Sequence, residues 1–330
     1  MVTGRKPRRG IALLATMLAV ALMTLLVMDF TTTAALGYRS AANQADELRA
    51  YYLARSGVNV GLALLVQNAL ANPPQNQGGG GGTTQPKGHD SLDQIWAQPF
   101  PPIPVEGGAV SLAIIDEDRK INLNKLVDSQ TGQPSKQVAE VIATLLANLN
   151  LSPDLLPTMI DWLDSDSIET PGGAEADFYL SLIPPYEPRN SALPTIYDLR
   201  MLKGMDDQTF LILSQFLTAM PTPKGVNLNT APPEVLLALA PALKIDAVTI
   251  KDIINQRALV PFDQQTDVTR VIPEAGKPPV SNLLTTTSTY FTITGQGDFA
   301  GARKRVYATF KRAAAQGGGA SFTLSNWHAD

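Results

Sequence analysis

An uninterrupted apolar run near the amino terminus constrains this 330-residue chain more than any other feature. The run extends from Ile11 to Met28, and Asp29 is the first charged residue after it. As an α-helix, 18 residues measure about 27 Å, close to the roughly 30 Å hydrocarbon core of a bilayer. Because cations ahead of a membrane span stay in the cytoplasm, the chain after the run is expected on the other side. The cations concerned are Arg5, Lys6, Arg8 and Arg9.

The residues around the run leave three ways of processing it open. It is a plain single-span anchor, or a secretory signal removed near Ala35, or an anchor whose short leader is cut at Gly10. The apolar stretch of a secretory signal measures 7–15 residues and ends at a small-residue site. This run is longer, and Thr33-Ala34-Ala35 matches such a site poorly. The length therefore favours a retained membrane helix.

Composition excludes several classes of function. The chain has no cysteine, which excludes thiol catalysis, cysteine-ligated zinc and disulfides. Its two histidines, His89 and His328, lie far apart in sequence, so neither a histidine metal site nor a Ser-His-Asp triad is expected. The net charge is −4 although four cations are gathered before the apolar run, so the remainder is acidic. A protein that coats nucleic acid would show a basic patch instead.

Beyond the membrane run, the patterns predict an α+β fold. A continuing helix to residue 71 is followed by a glycine- and proline-rich linker over 72–90, which has too few apolar residues to pack. A strand over Val110–Ile115 and a hairpin between Ser288 and Arg312, with its turn at Gly295–Asp298, predict a small antiparallel sheet. A helical domain, 125–282, is inserted between the two parts of that α/β domain, 91–124 and 283–312. Residues 313–330 are predicted to form a loose tail.

Within the insertion, apolar spacing predicts helices over 138–149, 152–164, 193–201, 206–220 and 246–256, with another capped by Thr230. The helix capped by Thr230 and the helix over 246–256 together resemble a helix-hairpin-helix unit. The turn between them has no glycine that would let a phosphate approach the backbone, so structural use is favoured over DNA binding. The segment Val226–Asn229 echoes Ile121–Asn124, and helices follow both segments, which indicates a diverged internal repeat.

One acidic stretch has the composition of a metal site. Six carboxylates occur within 17 residues around a Pro-Gly-Gly turn: Asp161, Asp164, Asp166, Glu169, Glu175 and Asp177. Flexible loops of carboxylates and carbonyls bind Ca²⁺, although the EF-hand spacing is absent here. A solvated acidic loop explains the same composition. A second acidic run, Asp116 to Asp118, follows the predicted strand and is interpreted as a charged turn.

The order of several short motifs resembles one protein family. Leader residues ending in Gly10 and an apolar helix resemble the type IV pilin and pseudopilin superfamily, whose members mostly carry Glu at the fifth mature position. Ala15 stands there in this chain, and the K-type minor pseudopilins of type II secretion typically lack that Glu. Several further segments are also similar to the K type: DEDRKINLN, DWLDSD with PGGAE, NLNTAP and the closing hairpin.

That resemblance implies a structural subunit and no enzyme. A prepilin peptidase would cut after Gly10 and methylate Ile11, leaving Ile11–Met28 as a single inner-membrane span with a cytoplasmic start and the bulk of the chain periplasmic. The protein would form the pseudopilus tip with I- and J-type minor pseudopilins above the major pseudopilin, without nucleic acid. A subunit with no neighbour above it has no use for the Glu that Ala15 replaces.

The resemblance also favours calcium over a solvated loop, because this region binds calcium in the K type. The implied ligands of a structural Ca²⁺ are Asp164, Asp166 and Glu175. Asp161 is left out because it directly precedes Trp162 on a predicted helix. Two alternatives stay open: a membrane-anchored periplasmic hydrolase that uses the acidic cluster, and a helix-hairpin-helix protein that binds or takes up DNA.

Overall fold

The computed structural model describes residues 9–72, 88–277, 282–314 and 320–330. A long amino-terminal helix, α1 (Arg9–Ala71), leads to an antiparallel sheet with a helical region inserted between two of its strands. This arrangement confirms the predicted α+β class. Most of the predicted linker, residues 73–87, lies outside the described residues.

Helix α1 has two halves with different surroundings. Its 63 residues correspond to a length of about 95 Å. The first half, which includes the apolar run, is exposed from residue 11 to residue 41. In the second half a stripe of side chains is buried against the sheet, with three- and four-residue spacing: Ala50, Ala54, Val58, Leu65 and Ala69. The helix therefore packs on the sheet only where that apolar stripe begins.

The sheet has five antiparallel strands in the order β1-β2-β7-β8-β9. Strand β2 pairs with β7 from Gly108↔Phe299 to Asp116↔Phe291, and β7 pairs with β8 across a tight turn. The strands of this sheet are β1 (Ile103–Val105), β2 (Gly108–Asp116), β7 (Tyr290–Phe299), β8 (Ala302–Ala314) and β9 (Ala320–Ala329).

The hairpin turn lies about four residues later than the sequence predicts. Gly295 and Gly297 belong to strand β7, and the turn falls at Ala300 and Gly301, both with positive φ. A Cβ at Gly295 would stand 2.0 Å from the carbonyl oxygen of Ala54 in α1. These strand glycines let the helix backbone approach the sheet, a purpose that local sequence does not reveal.

The carboxy-terminal segment forms a strand, so the prediction of a loose tail is wrong. Strand β9 pairs with β8 from Ala314↔Ala320 to Val306↔Ala329, with a bulge at Thr309/Phe310. Its Phe322 contacts the ring of Phe291 at a centroid distance of 6.3 Å. Strand β9 forms because β8 otherwise ends the sheet with unpaired backbone groups.

The inserted region lies between the end of β2 and the start of β7 and has its own apolar core. Its elements, in chain order, are β3 (Ile121–Asn122), α2 (Lys136–Asn148), α3 (Leu155–Leu163), α4 (Ala176–Leu180), α5 (Asp207–Leu213), β4 (Leu217–Thr218), β5 (Val226–Asn227), α6 (Pro233–Leu243), α7 (Ala247–Leu259), α8 (Gln265–Val271) and β6 (Leu284–Thr285).

The contacts between α1 and strand β7 show at which end of the sheet the insertion is attached. Ala50 lies against Gly297, Ala54 against Gly295, and Gly61 against Ile293. The sheet therefore runs toward Asp116 and Tyr290 as α1 runs away from its apolar half. The helical region is attached at that end, farthest from the apolar span.

Two local predictions in the insertion are wrong. The helix expected over 206–220 ends at Leu213, and Leu217–Thr218 instead pairs with β3. Thr230 does not cap the following helix, whose N-cap residue is Pro232. The Thr230 hydroxyl donates to Asp116 instead, at 2.6 Å. Long-range partners explain both differences.

The suspected internal repeat has a structural counterpart. Asn122 and Asn227 each accept a bond from the backbone N–H two residues later. The next asparagine, Asn124 or Asn229, forms a two-way bond with the backbone of a distant residue, Leu193 or Phe262 respectively. Each copy also supplies a two-residue parallel strand. Equivalent asparagines therefore have equivalent partners.

Candidate functional site

The candidate metal site lies in the loop between α3 and α4. Helix α3 ends at Leu163, and α4 begins after Glu175. Trp162 and Tyr179 flank the loop, with ring centroids 5.1 Å apart in an edge-to-face arrangement. Both rings are buried, so the two ends of the loop are held on the core of the insertion.

Asp161 organises the loop from inside. Its carboxylate is fully buried and accepts bonds from the backbone N–H groups of Thr170 at 3.1 Å and Ala174 at 2.8 Å. A Cβ at Gly173 would stand 1.9 Å from Asp161 Oδ2, so only glycine fits there. Asp161 is thus committed to backbone donors, in agreement with its omission from the predicted ligands.

The three predicted ligands come together. Oxygen atoms of Asp164, Asp166 and Glu175 lie within 4.8 Å of one another. Asp164 and Glu175 are buried, whereas Asp166 is exposed. We call these three residues the acidic loop. Glu169 and Asp177, the other acids of the stretch, are exposed and lie outside this group.

The buried oxygens of the acidic loop have no protein donors. Asp164 Oδ1 and both carboxylate oxygens of Glu175 have no hydrogen-bond partner among the described residues. Burial, and then the charges of Asp166 and Asp161, raise the pKa of Asp164 to about 6. Burial, and then Asp161 and Asp164, raise the pKa of Glu175 to about 7. Such a group of carboxylates gains most from a hard cation, which oxygen ligands suit.

A second acidic group joins the sheet to the insertion. Asp90, Asp116 and Asp118 are each 1% exposed, and Arg312 on β8 lies beside them. We call these four residues the acidic node. Asp90 belongs to the predicted linker, yet it forms two bonds with the guanidinium of Arg312 and accepts one from the N–H of Ser288.

Asp116 is the most highly coordinated carboxylate of the node. Its Oδ2 accepts bonds from the hydroxyls of Ser288 and Thr230, both at 2.6 Å, and from the amide of Asn227 at 3.2 Å. Its Oδ1 accepts from the N–H of Asp118 at 2.8 Å. Burial raises its pKa to about 6, an effect that these donors oppose.

Asp118 has fewer donors. Its Oδ2 accepts from the N–H groups of Thr289 at 2.8 Å and Tyr290 at 2.9 Å, and Oδ1 is buried without a partner in the part of the chain that the structure describes. Burial, and then the neighbouring Asp116, raise the pKa of Asp118 to about 8. Asp116 to Asp118 do form a charged turn after β2, as the sequence predicts, but the turn is buried. The DEDRKINLN resemblance was the sequence signal that marked this segment.

Comparisons with known proteins agree on one family. A family model described as type II secretion system (T2SS), protein K, matches residues 119–222. A type II secretion system protein K from Klebsiella pneumoniae is 30% identical over 263 residues, which cover 76% of each chain. The chain belongs to the type II secretion system protein K family.

Further relatives extend the match to most of the chain. Protein K from Pseudomonas aeruginosa is 28% identical over 312 residues, 93% of this chain and 90% of that protein. The crystal structure titled as the GspK-GspI-GspJ complex from enterotoxigenic Escherichia coli matches with a TM-score of 0.65. That match has 18% identity and covers 88% of this chain and 99% of the solved chain. The solved structure thus shares the fold.

Protein K is a minor pseudopilin of type II secretion, in a structural and non-enzymatic family. Membership therefore confirms the sequence-based function and the expectation of no enzyme, and the hydrolase and DNA-uptake alternatives are not functions of this family. One long apolar amino-terminal helix is present, as a membrane-anchored pseudopilin requires. The predicted processing residues lie at its start: Gly10 and Ile11 are in the first turn of α1, and Ala15 is one turn further.

Proposed function

We propose that this chain assembles with I- and J-type minor pseudopilins into the tip that starts and caps a periplasmic pseudopilus. The observation that carries the proposal is the division of α1. Its apolar half has no partner within the described chain, although its second half is packed against the sheet. A helix that is apolar all round needs lipid or neighbouring helices as its surroundings. The insertion adds its bulk at the opposite end, where a further subunit would have to stack.

Co-purification from membranes tests this assembly. Full-length chain is co-expressed with tagged I- and J-type subunits of the same system, extracted in mild detergent and separated by size. We expect one complex that contains all three proteins. A variant with Leu14→Asp and Leu18→Asp, on the exposed apolar surface of α1, should lose incorporation, whereas Asp177→Asn on the insertion should retain it. Recovery of the wild-type chain only as a free monomer would contradict the proposal.

We infer that a prepilin peptidase cuts between Gly10 and Ile11 and that Ile11 is then methylated. The cations before the cut remain in the cytoplasm, and Ile11–Met28 remains as the inner-membrane span of a tip subunit above the major pseudopilin. Mass spectrometry of the mature amino terminus tests this. A methylated Ile11 supports the inference, and an intact Met1 or a cut near Ala35 contradicts it.

We further propose that the acidic loop holds a structural Ca²⁺ through Asp164, Asp166 and Glu175. The orphaned oxygens of Asp164 and Glu175 support this, since a cation would supply the interactions that protein donors do not. When bound, the ion would neutralise the mutual repulsion of the carboxylates. The chain itself contributes the rigid frame: Asp161 fixes the loop backbone, and Lys203 donates to the carbonyl of Gly173 at 2.7 Å.

Calorimetric titration of the full-length protein with CaCl₂ in detergent tests the metal site. Asp164→Asn and Glu175→Gln should each weaken binding by at least tenfold, because each removes a charged ligand. The control Asp177→Asn removes a nearby exposed carboxylate outside the acidic loop and should bind as the wild type does. Equal binding by all four proteins would place calcium elsewhere.

A further inference from the structure

A broad groove separates the sheet from the inserted helical region on the face of the sheet opposite α1. Its volume is about 740 Å³, within the range of sites that enclose a drug-sized ligand or a short peptide. Ile115, Thr294 and Tyr307 form its floor on the sheet, and Tyr197 and Phe210 form the opposing wall. The groove is distinct from the acidic loop, whose residues do not line it.

The lining combines ring faces with hydroxyl groups. His328 lies between two tyrosines, with ring centroids 6.1 Å from Tyr307 and 5.7 Å from Tyr197. The hydroxyls of Thr292 and Thr309 bond to each other at 2.9 Å on the floor. Rings of this kind offer apolar contact area and hydroxyls offer adaptable hydrogen bonds, the combination that peptide-binding surfaces use.

Most charges that line the groove are already neutralised inside the protein. The pairs are Lys120 with Glu117 at 3.1 Å, Arg200 with Asp207 at 2.6 Å, and His328 with Asp330 at 2.6 Å. Neither the ammonium of Lys120 nor the guanidinium of Arg200 needs a ligand. Any uncompensated positive charge in the groove must therefore come from another residue.

Arg119 supplies an uncompensated positive charge. It lines the groove in the turn that follows β2, its Nε is buried without an acceptor, and it forms no ion pair within the described chain. Arg257 stands close enough to be affected by it: burial, and then the charge of Arg119, lower the pKa of Arg257 to about 10. Arg257 donates only to the carbonyl of Leu228, at 2.6 Å. Glu234 lines the same groove and pairs with neither arginine among the described residues.

We propose that this groove binds an extended acidic peptide segment of a partner protein, with an aspartate or glutamate side chain of the segment bonded to Arg119. A guanidinium matches a carboxylate in two parallel bonds, and a guanidinium without a counter-ion favours an anionic group beside it. The groove is many times larger than a single inorganic anion. Its rings and threonines suit the neighbouring side chains and backbone of an extended segment. This site is independent of the calcium site and of the tip assembly.

Fluorescence anisotropy on the full-length protein in detergent micelles tests the proposal. The probe is a fluorescein-labelled octapeptide of alternating glutamate and threonine, compared with its glutamine–threonine counterpart. We expect the acidic peptide to bind at least tenfold more tightly than the neutral one, and to weaken as salt is raised.

Two variants of different kinds link binding to the groove. Arg119→Gln should weaken the acidic peptide about tenfold or more and leave the neutral peptide unchanged. Thr294→Glu, which places a negative charge on the floor without touching Arg119, should do the same. Arg303→Gln is the matched control, because Arg303 is exposed and paired with Asp298 at the far end of the sheet.

Four outcomes would overturn the proposal. They are absence of binding by the acidic peptide, equal binding of both peptides, equal effects of Arg119→Gln and Arg303→Gln, and binding of inorganic sulfate that depends on Arg119 while neither peptide binds. Near-ultraviolet circular dichroism of each variant identifies loss of fold. If Arg119→Gln unfolds, Thr294→Glu decides the question alone.

Discussion

The acidic node and the acidic loop are built from the same kind of side chain and have opposite surroundings. In the node, Asp116 receives four protein donors, and Asp90 is paired with the guanidinium of Arg312. In the loop, Glu175 is 6% exposed, and neither of its carboxylate oxygens has a hydrogen-bond partner among the described residues. Burial of a carboxylate therefore does not by itself indicate a metal site. The number of donors that the protein provides makes the difference.

The acidic node and the acidic loop also have different roles in the protein. The node draws on residues from the linker end, β2, β5 and β8, so it holds the insertion on the sheet. The loop is local, since all its acids lie between Asp161 and Glu175. A site that the protein completes for itself is structural, whereas a site left incomplete calls for a ligand.

The largest effect is expected from breaking the ion pair of the node. Arg312→Met leaves Asp90 buried without its counter-charge, which costs about 3–5 kcal/mol of unfolding free energy. Urea unfolding of the full-length protein in detergent, followed by tryptophan fluorescence, measures it. The control Arg303→Met breaks an exposed pair worth about 0–1 kcal/mol. Equal losses in both variants would show that the node is no stronger than a surface pair.

Calcium should have the next largest effect, and it should act on the loop alone. At a free concentration of 100 Kd, a ligand that binds only the folded state adds about 2.7 kcal/mol. We therefore expect a chelator to lower the thermal midpoint of the wild type by several degrees. Glu175→Gln should abolish that difference, and Arg312→Met should preserve it. A chelator effect that survives in Glu175→Gln would separate calcium from the acidic loop.

The third prediction concerns pH and Asp118. Its folded-state pKa, about 8, is raised above the ordinary value of 3.8 for an aspartate, so the folded state holds the proton more tightly. The unfolded state loses that proton first, and the contribution of Asp118 to stability therefore falls as pH rises from about 4 to about 8. Asp118→Asn removes this dependence.

We expect Asp118→Asn to become progressively more stable than the wild type as the pH rises from 5 to 8. The asparagine still offers an oxygen to the N–H groups of Thr289 and Tyr290. Unfolding curves at four pH values measure the difference. An identical pH slope in the two proteins would contradict a protonated Asp118.

The smallest effect should come from removing a single donor of the node. Thr230→Val keeps the shape of the side chain and deletes its bond to Asp116, for an expected loss of about 1.5 kcal/mol. Asp116 retains its other donors, so the loss stays below that of Arg312→Met. The control is Thr144→Val, whose hydroxyl bonds only to the carbonyl of Glu140 within α2, with an expected change within about 0.5 kcal/mol.

The sequence by itself determined the elements whose signals are local. The apolar run predicts the exposed half of α1, and period-two alternation predicts the β7–β8 hairpin. Six carboxylates around a Pro-Gly-Gly turn mark the acidic stretch, from which the family resemblance selects the three residues of the acidic loop. In each case the residues that carry the signal lie within about 25 positions of one another. Hydrophobic period and turn chemistry are sufficient at that range.

Only the tertiary structure decided what depends on distant partners. Strand β9 exists because β8 offers it an edge, and Gly295 is a strand residue because α1 passes 2.0 Å from where its Cβ would be. Asp116 is buried because Thr230 and Ser288, which lie 114 and 172 residues away, supply its donors. The groove with Arg119 likewise forms between surfaces far apart in the chain. Local sequence specifies the carboxylate or the glycine, and the fold specifies whether it meets a donor, a backbone or a ligand.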